Sequence, residues 1–163
     1  MKAVMISIRP KWVAKILSGE KTVEVRKTAP NLETPFRCYI YETQGKTDTP
    51  WIDEEGHMIF RGRGQVVAEF ICDEIRDARE CFIVPTCLTT EEWLEYTNGY
   101  KRTVWGWHIS ELKIFDKPKE LHEFNQCHKC EYHEGCVQHE YSCAGHYKLQ
   151  RPPQSWCYVE ELQ

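Results

Sequence analysis

The sequence predicts an α+β, mainly β fold: a compact β-barrel with short peripheral helices and a Cys-rich metal-binding insertion. Three observations carry it. Short strand-like segments recur along the chain and only two helical patterns interrupt them, which is not the strict strand–helix alternation of a doubly wound sheet. The length of 163 residues suits a single domain, 1–163, large enough to bury a core without disulfides. Four of the nine cysteines crowd into one late stretch, where the composition turns to Cys, His and Glu.

Residues 3–8, AVMISI, form a short apolar run ending at Arg9-Pro10, where proline suits the first position of a helix. In PKWVAKILSG, Trp12, Val13, Ile16 and Leu17 make one helical stripe that should bury Trp12, and Gly19 stands where a C-terminal cap is expected. In KTVEVRK, Val23 and Val25 alternate with Thr22, Glu24 and Arg26, the period of a half-buried strand with Glu24 and Arg26 on its polar face.

PFRCYIYET (35–43) is a second strand, and the Gly-, Asp- and Pro-bearing stretch 44–63 reads as a long loop or hairpin whose Trp51 and Phe60 are lid candidates. GQVVAEFICDEI (64–75) is the longest strand candidate. A helix around 89–97 starts with a capping box at Thr89 or Thr90 and ends at Asn98-Gly99. In VWGWHISELKIFD (104–116) the apolar parity switches, which predicts a bulge near Ser110-Glu111. The chain then returns as a final strand within 155–160 after the insertion at 120–148.

Charge excludes a polybasic protein, since Lys+Arg 21 against Asp+Glu 25 gives a net −4. It is unevenly placed: Arg9, Lys11, Lys15, Lys21, Arg26 and Lys27 face only Glu20 and Glu24 between residues 9 and 27. One basic surface on an acidic body would suit a phosphate-bearing ligand, while a solvated helix face is the plain alternative. No apolar run approaches the ~20 residues of a bilayer span, and the N-terminus lacks signal-peptide order, so the expectation is a cytoplasmic protein with no membrane partner.

The spacing Cys127-x2-Cys130-x5-Cys136-x6-Cys143 has the density of a tetrahedral thiolate site. Zn2+ is the natural ion, in a structural role because four protein ligands leave no open position. His128, His133, His139 and His146 lie among these cysteines, so a Cys3His set is also open, as are an iron–sulfur cluster and simple free thiols. Too few large aliphatic residues lie between 120 and 148 to fold unaided, and a metal would supply the missing core. Cys38, Cys72, Cys81, Cys87 and Cys157 are scattered through apolar segments as small core residues.

LSGEKTVEVRK, preceded by ISIRPKWVAKI, resembles the ASCH family of the PUA-like superfamily, through Ile16, Gly19, Lys21, Thr22, Glu24 and Arg26. SIRPKW, EVRKTAP, GWHIS and PPQSWCYVEEL are similar to segments of small ASCH proteins of phages and their bacterial hosts, several with a Cys-rich insertion before the last strand. The resemblance implies an open β-barrel with a cleft beside the Lys-Thr-x-Glu-x-Arg segment and RNA or nucleotide-like ligands; no organic cofactor is expected. It does not imply one activity: members include RNA-binding adaptors, hydrolases of N4-acetylcytidine and a ribonuclease.

Lys21 matches the lysine with which the hydrolase group activates a threonine, but this sequence carries Glu24 where that threonine stands. Glu24 as a general base, with Lys21 or Arg26 stabilising an oxyanion, would be a different mechanism, and a structural ion pair is the alternative for all three. Arg9, Lys11, Lys15, Lys21, Thr22, Arg26 and Lys27 are the expected ligand contacts, with Trp107 and His108 beside Trp105 as a base-stacking surface. Three readings follow: an RNA- or nucleotide-binding domain taking an unpaired or modified base, a hydrolase or nuclease on Lys21 and Glu24, and an interaction protein that meets a protein partner through 120–148.

Overall fold

The computed structural model describes residues 1–53, 55–79, 83–127 and 146–162. In chain order the elements are β1 (Lys2–Ile8), α1 (Pro10–Leu17), β2 (Val23–Arg26), β3 (Phe36–Glu42), β4 (Lys46–Ile52), β5 (Met58–Arg61), β6 (Val66–Cys72) and β7 (Ile75–Asp77). There follow α2 (Ile83–Thr86), α3 (Thr90–Thr97), β8 (Trp105–His108), β9 (Ser110–Lys119), a 3-10 turn (Leu121–Glu123), β10 (Asn125–Cys127), β11 (His146–Lys148) and β12 (Trp156–Glu160).

Seven strands form one sheet in the order β11-β10-β12-β1-β3-β6-β9, β2-β8-β7 form a second, and β4-β5 are a separate hairpin. The large sheet is not closed, which makes the architecture an open barrel. Its β1 and β3 run parallel with α1 between them, while β1 pairs antiparallel with β12. Strand β1 reads as an unbroken apolar run because both faces are covered. Val4, Ile6 and Ile8 enter the main core with Val13 and Ile16 of α1, and Ala3 and Met5 pack behind the sheet with Tyr39, Phe124 and Val159.

Strand β2 departs from the half-buried expectation, since all four of its residues are buried. Val25 packs outward against Ala78, Trp93 and Val104, where α3 covers the small sheet. Glu24 and Arg26 stand opposite Trp107 and Trp105 of β8, so their face looks into the barrel instead of into water.

Local signals in the sequence hold elsewhere. Thr89 caps α3 by accepting from the Glu92 amide while Glu92 accepts from the Thr89 amide, and Asn98 closes the helix in the left-handed region. The 44–63 stretch is the β4-β5 hairpin, and the parity switch near Ser110-Glu111 is a register shift in the β6–β9 pairing with Glu111 at φ 46. Cys38 and Cys72 are core residues, Cys87 and Cys157 are half-buried, and Cys81 lies outside the described residues. Strands β10 and β11 pair antiparallel, Cys127 opposite His146, so the two ends of the Cys-rich stretch meet beside β12. Cys130, Cys136 and Cys143 lie outside the described residues.

Candidate functional site

The Lys-Thr-x-Glu-x-Arg segment forms the floor of a cleft of about 1160 Å³. Its position follows from the chain turning directly out of α1: the Lys21 amide donates to the Lys15 carbonyl, and the Thr22 amide donates to the Pro85 carbonyl of α2. This leads the Lys21 side chain inward, where it is 3% exposed.

An ammonium removed from water to that degree needs acceptors on every side. Lys21 Nζ donates to the carbonyls of Val23 at 2.8 Å and Thr86 at 2.7 Å, and lies 3.3 Å from Glu24 Oε2. All three of its N–H groups are thereby engaged. Glu24, 6% exposed, is held on its other oxygen by Arg26 Nη2 at 3.0 Å. Arg26 Nη2 also donates to the Ser7 carbonyl at 2.7 Å, tying the small sheet to β1, and its Nη1 lies 3.4 Å from Ser155 Oγ. The Arg26 Nε has no partner within the described residues.

Further segments supply the walls. Trp12 of α1 faces the cleft half-buried, with Lys21 Nζ 5.4 Å from its ring centroid and Lys11 Nζ 4.4 Å away. Burial of Trp12 was the expectation, but its ring packs on the edge of the core and leaves one part to the cleft. Tyr96 of α3 is a second aromatic lining the cleft, donating from its hydroxyl to the Val25 carbonyl at 3.2 Å, and desolvation pushes that phenol above its ordinary range. Pro153 and Ser155 close the third side; Ser7 Oγ donates to the Pro153 carbonyl at 2.7 Å.

The expected basic surface is largely neutralised, by two acids of the same stretch and one distant in sequence. Lys11 pairs with Glu92 at 2.8 Å, Lys15 with Glu20 at 3.2 Å, and Lys21 and Arg26 share Glu24. The hydrogen bond from Lys11 holds the Glu92 carboxyl below its usual range. Among the described residues, exposed Arg9 and Lys27 line the cleft with no carboxylate in ion-pair reach, and Lys27 Nζ sits 5.4 Å from the Tyr96 ring centroid.

Of the residues singled out in the sequence, Arg9, Lys21, Glu24, Arg26 and Lys27 therefore meet in one cleft, and Lys11 stands behind Trp12. Lys15 and Thr22 do not line it. Trp107 is fully buried, edge-on to Phe36 at 6.1 Å between ring centroids, and is a core residue instead of a stacking surface. Trp105 packs on the core, and His108 points away from the cleft lining to Asp73, Nδ1 to Oδ1 2.6 Å. Sequence reading missed Trp12 and Tyr96 as walls; the aromatic at the exposed start of α1 was the available signal. It also missed Thr86, whose carbonyl no residue type reveals. Trp51 stands in the hairpin, its Nε1 donating to the Arg61 carbonyl at 2.7 Å.

No protein-family model matches the sequence, and no curated protein matches it. Solved structures do. A single-substitution mutant of the ASCH protein ZmASCH from Zymomonas mobilis superposes with a TM-score of 0.62 at 17% identity, covering 99% of this chain and 92% of that one. The ASCH structure from Zymomonas mobilis without that substitution gives 0.61 at 17% identity, covering 98% and 88%. Agreement over nearly the whole of both chains at so low an identity is agreement of backbone architecture, and the chain has the ASCH fold.

Proposed function

We propose that this protein binds RNA or a nucleotide by taking one unpaired base into the cleft between Trp12 and Tyr96. The observation that carries the reading is the arrangement of the cleft: a carboxylate, Glu24, fixed between two buried cations on the floor, aromatic rings on the walls, and two unneutralised cations, Arg9 and Lys27, at the exposed rim. Flat apolar rings suit a base, rim cations suit a phosphate, and a fixed carboxylate accepts from the amino or imino N–H of a base edge. At about 1160 Å³ the cleft lies just above the roughly 300–1,000 Å³ of small-ligand sites, so a nucleotide does not fill it.

Hydrolysis on Lys21 is less well supported than binding. A general base or an activator of a nucleophile needs a free lone pair or a free N–H, and the Lys21 ammonium is saturated by two carbonyls and Glu24. The three residues hold the floor rigid and fix where the Glu24 oxygens stand.

Titration of the four ribonucleoside monophosphates and a short single-stranded RNA against the protein, followed by calorimetry, tests the reading. Saturable binding that weakens in Trp12→Ala and Arg9→Ala is expected. A folded protein that binds none of these ligands would overturn it.

We further propose that Cys127, Cys130, Cys136 and Cys143 hold a structural Zn2+ at the end of the β10-β11 stem, with four thiolates as the donor set. A protein partner recognised through 120–148 remains the second use of that segment.

A further inference from the structure

We propose that the base of the β4-β5 hairpin is a second contact site for nucleic acid, one that holds the strand flanking the base in the cleft. The inference rests on the cleft reading above and makes the preferred ligand a single strand of several nucleotides instead of a free nucleotide.

The hairpin grows out of the cleft wall. Thr43 and Gln44 line the cleft, and Lys46 follows two residues later, at most about 7 Å further along an extended chain. Across the hairpin Lys46 is paired with Arg61, so these two side chains share one face, and after a register shift Trp51 is paired with Ile59. Lys46 and Arg61 are exposed, and among the described residues neither has a carboxylate in ion-pair reach. Asp53 lies at the hairpin's far end, where it accepts from the Glu55 and His57 amides.

An aromatic lies beside Arg61, since Trp51 Nε1 donates to the Arg61 carbonyl at 2.7 Å. Arg63 stacks on the Trp51 ring, 4.9 Å from its centroid, and its own charge is met by Glu42 at 3.1 Å. Free cations beside a ring already stacked by a guanidinium are the combination that follows a single strand without reading its sequence.

The face is also fixed relative to the cleft. Gly62 donates its amide to the Gly45 carbonyl, and a Cβ added at Gly62 would lie 1.9 Å from the Thr43 carbonyl oxygen and 2.6 Å from Pro10 Cγ. The hairpin base thus lies against Pro10, the residue after Arg9, while Lys46 follows Gly45 and Arg61 precedes Gly62 in the chain, so the three cations flank one junction at the cleft. Asp48, two residues after Lys46 on β4, is also exposed.

The test compares fluorescence anisotropy of the full-length protein on labelled single strands of one, four and eight nucleotides, as RNA and as DNA of the same sequence, over a salt series. The double variant Lys46→Ala/Arg61→Ala is measured beside the wild type, with circular dichroism to establish that both are folded. Wild-type affinity should rise from one nucleotide to eight. The variant should lose about tenfold on the eight-nucleotide strand at 0.1 M salt, with its log–log salt slope shallower by about 1.4, and should bind the mononucleotide as the wild type does. Equal wild-type affinity for one and eight nucleotides, or an unchanged eight-nucleotide affinity in the variant, overturns the second site and leaves the cleft reading standing. Failure of the wild type to bind any strand overturns both. RNA and DNA arms that behave alike fit a contact through phosphates and ring faces, whereas loss of the length effect on both counts against it.

Discussion

Lys21 and Glu24 form a buried ion pair, 3.3 Å from Nζ to Oε2, in which the lysine is 3% exposed and the glutamate 6%. The lysine is fixed less by the carboxylate than by two carbonyls at shorter distance, so the pair is a corner brace between α1, β2 and α2. Removing the amine would strand the Val23 and Thr86 carbonyls and leave Glu24 with Arg26 alone.

Lys21→Ala is accordingly expected to lose about 3 kcal/mol of stability, the scale of a broken buried pair. Urea denaturation checks this. Replacing both partners, as in Lys21→Met/Glu24→Leu, should be less damaging than the sum of the single changes, because no uncompensated charge stays inside. Additive losses would show that the pair does not act as a unit.

Trp12→Ala is expected to weaken nucleotide binding by about 1–3 kcal/mol, the range for a base stacked on an aromatic ring. Trp107→Phe should leave binding unchanged and reduce stability, since Trp107 lies in the core. Calorimetry paired with thermal denaturation separates the two residues.

Acid should loosen the protein at two ion pairs. The Glu92 carboxyl is held down by the hydrogen bond from Lys11, and Asp73 by that from His108. A carboxyl whose pKa falls on folding contributes stability that is full above its ordinary value, near 4.5 for Glu92, and is lost as pH drops through the lowered one. The Glu92 side chain is 34% exposed and that of Asp73 45%, so water screens both pairs and each effect is small. Denaturation midpoints measured from pH 6 to pH 3 should fall toward the acid end in the wild type and fall less in Glu92→Gln.

Burial pushes the Cys72 thiol up to about 12 and the Cys38 thiol well above its ordinary range. Neither will present a thiolate at pH 8, and both lie in the core. Alkylation of the folded protein followed by peptide mass mapping should leave these two unmodified and label Cys157 and Cys87 before them.

The proposed zinc site predicts one Zn2+ per chain by elemental analysis, lost when Cys130 and Cys136 are both changed to Ser. Chelation should lower the melting temperature of the wild type and not that of the double variant.

Much of the fold was legible along the chain because its signals are local. The capping box at Thr89, the left-handed stop at Asn98 and the parity break at Ser110-Glu111 each depend on a few neighbouring residues, and each stands where the sequence put it. The motif from Lys21 to Arg26 likewise announced the cleft floor, since the helix, the glycine and the strand are consecutive.

What the sequence alone determined was which side chains share a face; what the tertiary structure decided was what covers that face. Strand alternation put Glu24 and Arg26 together but left open whether water or β8 lay opposite, and Trp107 and Trp12 exchanged their expected places for the same reason. The charge of residues 9–27 was correct as a sum, yet Lys11 is neutralised by Glu92, 81 residues away, which no window along the chain contains. A side chain's periodicity is set by its own backbone, whereas its exposure and its net charge are set by the layer that packs on it.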